Sequence, residues 1–320
     1  MDTKSVGRAT IVTVFKVRSA SGSERTYNNG LCQIRLEFEI VTDAPLSREE
    51  IATLTILDAN TKQLIPIIKD DEENVPVPQG TWGCTRAKND YDFYSPGLEI
   101  EPQQTKNYTE FQHYYVQTAD FANARKTIGA RIKLENNREF FSAEVNSADG
   151  KIDLIPVAPA NPPFSAWNQD WEQTYKFSVG ANVNVTIYYL GIVLPSGARL
   201  GIKTMEVAPA SFASTFKWLS PNSQSGAFCG YAVPPDDPQP TSPFVYSQEQ
   251  FTGNYRVSKN DWPRYACGAI AFVSNNSLGP FQAGANGQGC TYLLRDQYGT
   301  PYRVRVAITP ECDALTLSQA

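Results

Sequence analysis

Histidine occurs once in this chain, at His113, and methionine only twice in 320 residues. One histidine cannot build a zinc-protease His pair, a multi-histidine metal centre or a kinase catalytic loop. A Ser-His-Asp or Cys-His relay would have to use His113. That residue sits in an aromatic run, Phe111-Gln112-His113-Tyr114-Tyr115, and the nucleophile elbow G-x-S-x-G does not occur. His113 therefore reads as structural. The phosphate loop G-x-x-x-x-G-K-[ST] is missing too, and Gly284, Gly287 and Gly289 are not in dinucleotide-binding order, so they read as a loop. No cofactor and no metal site are expected.

Long apolar runs are absent as well. Nothing approaches 18 consecutive apolar residues, so no stable membrane span is expected. Residues 11–17 are apolar but too short for a signal segment, and no small-residue cleavage pattern follows them. The expectation is synthesis in the cytoplasm without a signal peptide, with a particle or release by lysis among the final destinations. The six cysteines, at 32, 84, 229, 267, 290 and 312, include no C-x-x-C pair. They are expected to be reduced and apolar in role; if any pair, Cys229 with Cys267 and Cys290 with Cys312 are nearest in sequence. Net charge is −5 with both signs interspersed. Without a basic block, nucleic acid is not an expected partner. The acidic run 70–73 reads as a solvated loop.

What is present points one way. Aromatic residues make up 12% of the chain, and 21 glycines and 22 prolines cut it at short intervals. Aromatic and β-branched runs between turn formers predict an all-β fold, antiparallel and sandwich-like, with a few short helices. In residues 31–41, Cys32, Ile34, Leu36, Phe38 and Ile40 alternate with Gln33, Arg35, Glu37 and Glu39, as in a strand with one face in the core and one in water. Residues 9–18, 53–57, 63–68 and 108–117 are further strand candidates, with a turn at 58–61. Ser47 and Glu50 have the spacing of a capping box opening a short helix. Residues 128–134 alternate again, Asn136-Asn137 offers a turn, and Asp149-Gly150 predicts a tight hairpin between 139–145 and 151–157.

Pro156, Pro159, Pro162 and Pro163 are expected to break ladder pairing. The expected organisation is an N-terminal β domain over 1–155, a proline-rich connection over 156–163 and a C-terminal β domain over 164–320. A long connection across one large sandwich is the alternative. Strand candidates in the second half are 175–179, 183–189, 192–194, 200–207, 269–273, 291–295 and 302–308. Turns are expected at 195–197 and 296–301, and a stiff extended loop at 233–243. Residues 119–126, Phe164 with Trp167 and Trp171, and Phe212 with Phe216 and Leu219 have helical spacing.

Function is less legible. Turn-rich segments mix aromatic and polar residues, making Trp82, Tyr91, Tyr94, Trp167, Trp171, Trp262 and Tyr265 candidate partner or glycan contacts. Pro235 and Pro238, in the stiff loop, are candidates for reaching a partner. A non-enzymatic structural or assembling protein (virion, tail-like or inclusion-type), self-associating or bound to another protein, is the first reading. A glycan- or host-surface-recognition module of adhesin type is the alternative, and a toxin subunit or pore-former a further one. Glycoside hydrolysis needs only two carboxylates, for which Asp90, Asp92, Asp170, Glu172 and Asp261 would be candidates.

Overall fold

The computed structural model describes residues 8–69, 71–94, 108–162, 165, 172–178, 183–190, 192–208, 216–219, 226–232, 241–243, 256–258, 268–275, 289–310 and 315–320. The fold is all-β, built of antiparallel sheets. The chain divides into two compact units, Met1–Pro159 and Ala160–Ala320.

The first unit runs β1 (Val12–Ser19), β2 (Arg25–Tyr27), β3 (Gln33–Thr42), α1 (Arg48–Ala52), β4 (Thr55–Asp58), β5 (Trp82–Thr85), β6 (Thr109–Thr118), β7 (Lys126–Lys133), β8 (Glu139–Phe141), α2 (Ser142–Val145) and β9 (Ile152–Val157). One sheet has the order β1-β3-β6-β5. The other has the order β2-β9-β7-β4, with β8 also on β7. The core lies between them. Phe15, Ile34, Leu36, Phe38, Ile40, Tyr114 and Val116 come from the first sheet, and Ile56, Ile128, Ala130, Ile132 and Leu154 from the second. Tyr114 ties the layers together: its hydroxyl donates to the Leu54 carbonyl (2.8 Å) and accepts from Arg86. Burial pushes its phenol above the usual range, the largest of several influences.

Ser47 and Glu50 close the expected capping box on α1. Glu50 also accepts from the Glu135 amide, so its buried carboxylate satisfies two backbone donors.

Several expectations give way. The tight hairpin at Asp149-Gly150 does not form, because β8 and β9 each pair with β7 rather than with each other. Between them the chain turns helical at Ser142, whose hydroxyl accepts from the Ala130 amide and donates to the Gly150 carbonyl. Gly150 is needed for contact rather than for a turn: a Cβ there would lie 1.9 Å from the Ser142 carbonyl oxygen. Residues 119–126 form a turn, with Asn123 in the left-handed region at φ 66°, instead of a helix. Pro156 pairs inside β9, in parallel register with Thr26. Its missing donor falls where the β7 ladder has already ended, and its carbonyl there accepts from Asn123. Residues 63–68 contribute isolated bridges rather than a strand.

The second unit carries β10 (Glu172–Ser178), β11 (Val183–Leu190), β12 (Ile192–Val193), β13 (Arg199–Leu200), β14 (Ile202–Ala208), β15 (Phe216–Leu219), β16 (Gly226–Ala232), β17 (Thr241–Pro243), β18 (Arg256–Ser258), β19 (Gly268–Asn275), β20 (Gly289–Asp296), β21 (Pro301–Ile308) and β22 (Leu315–Gln319). Its larger sheets have the orders β10-β11-β19-β16-β15 and β14-β20-β21-β22. Phe216 and Leu219 lie in a strand paired with β16, not on a helix, and residues 241–243 pair with β18 instead of continuing a loop. The turn at 195–197 has Gly197 at φ 81°, where glycine carries no steric cost. Asp296 closes the β20–β21 hairpin by accepting from the amides of Tyr298 and Thr300 and from the Tyr302 hydroxyl.

Candidate functional site

The outer face of the first sheet is where strand register gathers charge. Alternation sends Lys16 and Arg18 of β1 to that face, beside Glu39 and Glu37 of β3, and Phe111 and His113 of β6 complete the rows. The expected wet face of β3 is only half wet. Glu37 is 2% exposed and Gln33 fully buried, because other parts of the chain cover them.

Burial of Glu37 is offset by charge. Arg18 donates to it through Nε at 2.7 Å, and a terminal nitrogen lies 2.6 Å from the same oxygen. His113 Nδ1 lies 3.9 Å from the second carboxylate oxygen, and Arg35 approaches His113 Nε2 at 3.4 Å. The one histidine thus sits between Glu37 and Arg35 in a row of polar side chains across three strands.

Arg18 and Glu37 of this row line one side of a groove of about 1240 Å³, formed where β1 meets β9 and the 22–25 segment. Lys16, Arg18, Arg25 and Lys151 supply its positive charge, and Glu24, Glu37, Glu39, Asp149 and Asp153 its negative charge. Lys16 pairs with Asp149 at 3.4 Å, and Asp153 is held by Arg125 and the Thr127 hydroxyl. Among the described residues Arg25, Lys151, Glu24 and Glu39 have no ion-pair partner. Two cations and two carboxylates therefore remain for a ligand. Phe111, half-buried, adds an apolar surface. No cluster of three or more potential metal ligands occurs among the described residues.

Three sheet edges of this unit, on β1, β5 and β4, are covered along part of their length. The outward amides of β1 at Phe15 and Val17 donate to the Asn146 side chain and the Asp149 carbonyl. Residues 66–68 bond to Cys84 along β5, and 63–65 bond to Ile56 and Asp58 along β4.

Of the residues singled out from sequence, Trp82 and Tyr91 are each 5% exposed. The Trp82 indole donates to Asp120 at 2.8 Å and faces Lys126. Both rings pack inside the fold and offer little surface to a partner. Tyr94 is half-buried, edge-on to Tyr27 at 4.9 Å. Asp90 and Asp92 are exposed. Trp167, Trp171, Trp262, Tyr265, Pro235 and Pro238 lie outside the described residues, as do Asp170 and Asp261. Cys32 and Cys84 are buried thiols in no disulfide, and burial pushes the Cys84 thiol up to about 12.

The groove residues went unmarked in the sequence because each is an ordinary surface charge taken singly. One signal was available: Gln33, Arg35, Glu37 and Glu39 alternate with apolar residues, and so occupy one face of their strand.

No protein-family model and no curated protein matches this chain. Among solved structures, a weak likeness reaches the sialic acid binding region of a Streptococcus sanguinis SK1 adhesin bound to 3'sLn. It covers 91% of this chain and 76% of that one, at 9% identity and a TM-score of 0.26. A TM-score that low does not establish a shared fold.

Proposed function

We propose that this chain is a non-enzymatic recognition protein whose N-terminal groove takes an uncharged, polyhydroxylated ligand, that is, a carbohydrate. The observation that carries the reading is the balance of the groove. Its two cations and two carboxylates without ion-pair partners supply donors and acceptors in equal measure beside the ring of Phe111. Sugar hydroxyls donate and accept alike, and the C–H face of a sugar ring packs on an aromatic. A polyanion or polycation would meet as much repulsion here as attraction.

Assembly through strand addition is less well supported in this unit. An incoming strand needs a row of unpaired backbone donors and acceptors, and loops occupy those on β1, β5 and β4.

The test is binding of the purified chain to a panel of neutral glycans, followed by titration of the best one at low and high salt. Binding is expected to vary little with salt, because no net charge drives it. Phe111→Ala is expected to weaken it by roughly tenfold or more. Binding only to polyanions, or ordered self-assembly with no glycan bound, would overturn the reading.

A further inference from the structure

The sheet face that carries Phe111 continues beyond the lining of the groove. Phe111, His113 and Tyr115 share one face of β6, and opposite them in register stand Glu39, Glu37 and Arg35. Phe111, His113, Tyr115, Arg35 and Glu39 are all half-exposed and only Glu37 between them is buried, so the strip is open on the β6 side over residues 111–115, four steps along the strand. At strand spacing that is about 14 Å. One register step further the face closes, where Gln33 and Gln117 are fully buried. There Gln33 receives the Asn89 amide and Gln117 donates to the Val75 carbonyl. At the point of closure the rings of Phe93 and Tyr115 stack at 6.3 Å, 5° from parallel, with Lys88 Nζ 5.4 Å from the Phe93 centroid. The strip therefore has an aromatic surface at each end and polar groups between.

We infer that this strip is an extension of the binding site, with a second sugar subsite at Tyr115 and Phe93. The ligand is accordingly a chain of three or more sugars rather than a single one. The inference rests on the carbohydrate reading of the groove and adds length to it. A single ring at Phe111 leaves the far aromatic pair untouched. A linked third or fourth ring brings its apolar face to that pair, while the hydroxyls of the ring before it meet Arg35 and His113.

The experiment measures affinity of the full chain for one neutral glycan series graded from mono- to tetrasaccharide. Affinity is expected to climb at least tenfold along the series. Tyr115→Thr, a residue suited to a strand, is expected to flatten that climb, so that the longest member binds no better than the single sugar. Phe93→Leu serves as a second variant, and melting curves identify any variant that fails to fold. Equal affinity for short and long members, or an unchanged climb in both folded variants, overturns the subsite while leaving the groove reading intact. Absence of binding to every member overturns both.

Discussion

Two aspartates, one in each unit, hold the chain with the same kind of donor set and respond to it in opposite ways. Asp43, exposed in the first unit, accepts from the amides of Thr10 and Ile11 and from the Thr10 hydroxyl. Asp296, 2% exposed in the second, accepts from the amides of Tyr298 and Thr300 and from the Tyr302 hydroxyl. The Thr10 hydroxyl and amide bonds hold the Asp43 carboxyl down at about 2. Burial is the largest influence on Asp296 and pushes its carboxyl up despite its donors. Three hydrogen bonds suffice to favour the charge in water but not in the interior, where desolvation wins. Nature's third solution here is Glu37, buried against the groove, which is met by the Arg18 guanidinium as well.

The comparison breaks most visibly at Asp296. Asp296→Ala strands two amides and a hydroxyl, and the loss of stability is expected to be about 3 kcal/mol, read by chemical denaturation. A loss under about 1 kcal/mol would mean the hairpin does not depend on this carboxyl.

The pH dependence sharpens it. The raised carboxyl of Asp296 stabilises the fold fully below its ordinary value of 3.8, and that contribution is lost as pH rises through the folded value. Wild type should therefore lose stability relative to Asp296→Asn as pH rises from about 4 toward neutrality. Asp43 runs the other way. Its contribution is present above 3.8 and is lost as pH falls toward about 2, so the advantage of wild type over Asp43→Asn should vanish in acid. Parallel pH profiles for the two variants would contradict the burial argument.

The smallest effect is expected at the groove rim. Lys16 and Asp149 are 42% and 63% exposed, so Lys16→Ala should change stability by no more than about 0.5 kcal/mol after solvent screening. A larger loss would make the rim part of the fold's support rather than a surface free to serve a ligand.

Local signals in the sequence were sufficient where structure is local. Ile34, Leu36, Phe38 and Ile40 could only face a core, and Ser47 with Glu50 could only start a helix. Failures came where distant chain intervenes. Asp149-Gly150 has strong turn chemistry, but β8 and β9 both pair with β7 and Ser142 occupies the space above Gly150. Gln33 and Glu37 read as wet because nothing within the strand announces that remote segments cover them. The site was missed for the same reason. Aromatic–polar loops drew attention to Trp82 and Tyr91, which are interior, whereas the groove draws its charges from both sheets and from the segments leading into β2 and β9.

The closure of the first unit has a consequence for how the chain is made. Phe15 donates to Asn146, 131 residues later, and β2 finds its parallel partner only in residues 155–157. On a ribosome, β1 emerges early but stays an open edge until nearly the whole unit has followed. Such distant pairing slows folding, because a long loop must close before any contact rewards it. During synthesis the partner-seeking edge of β1 therefore stays exposed until residues 146–149 arrive to act as its stopper.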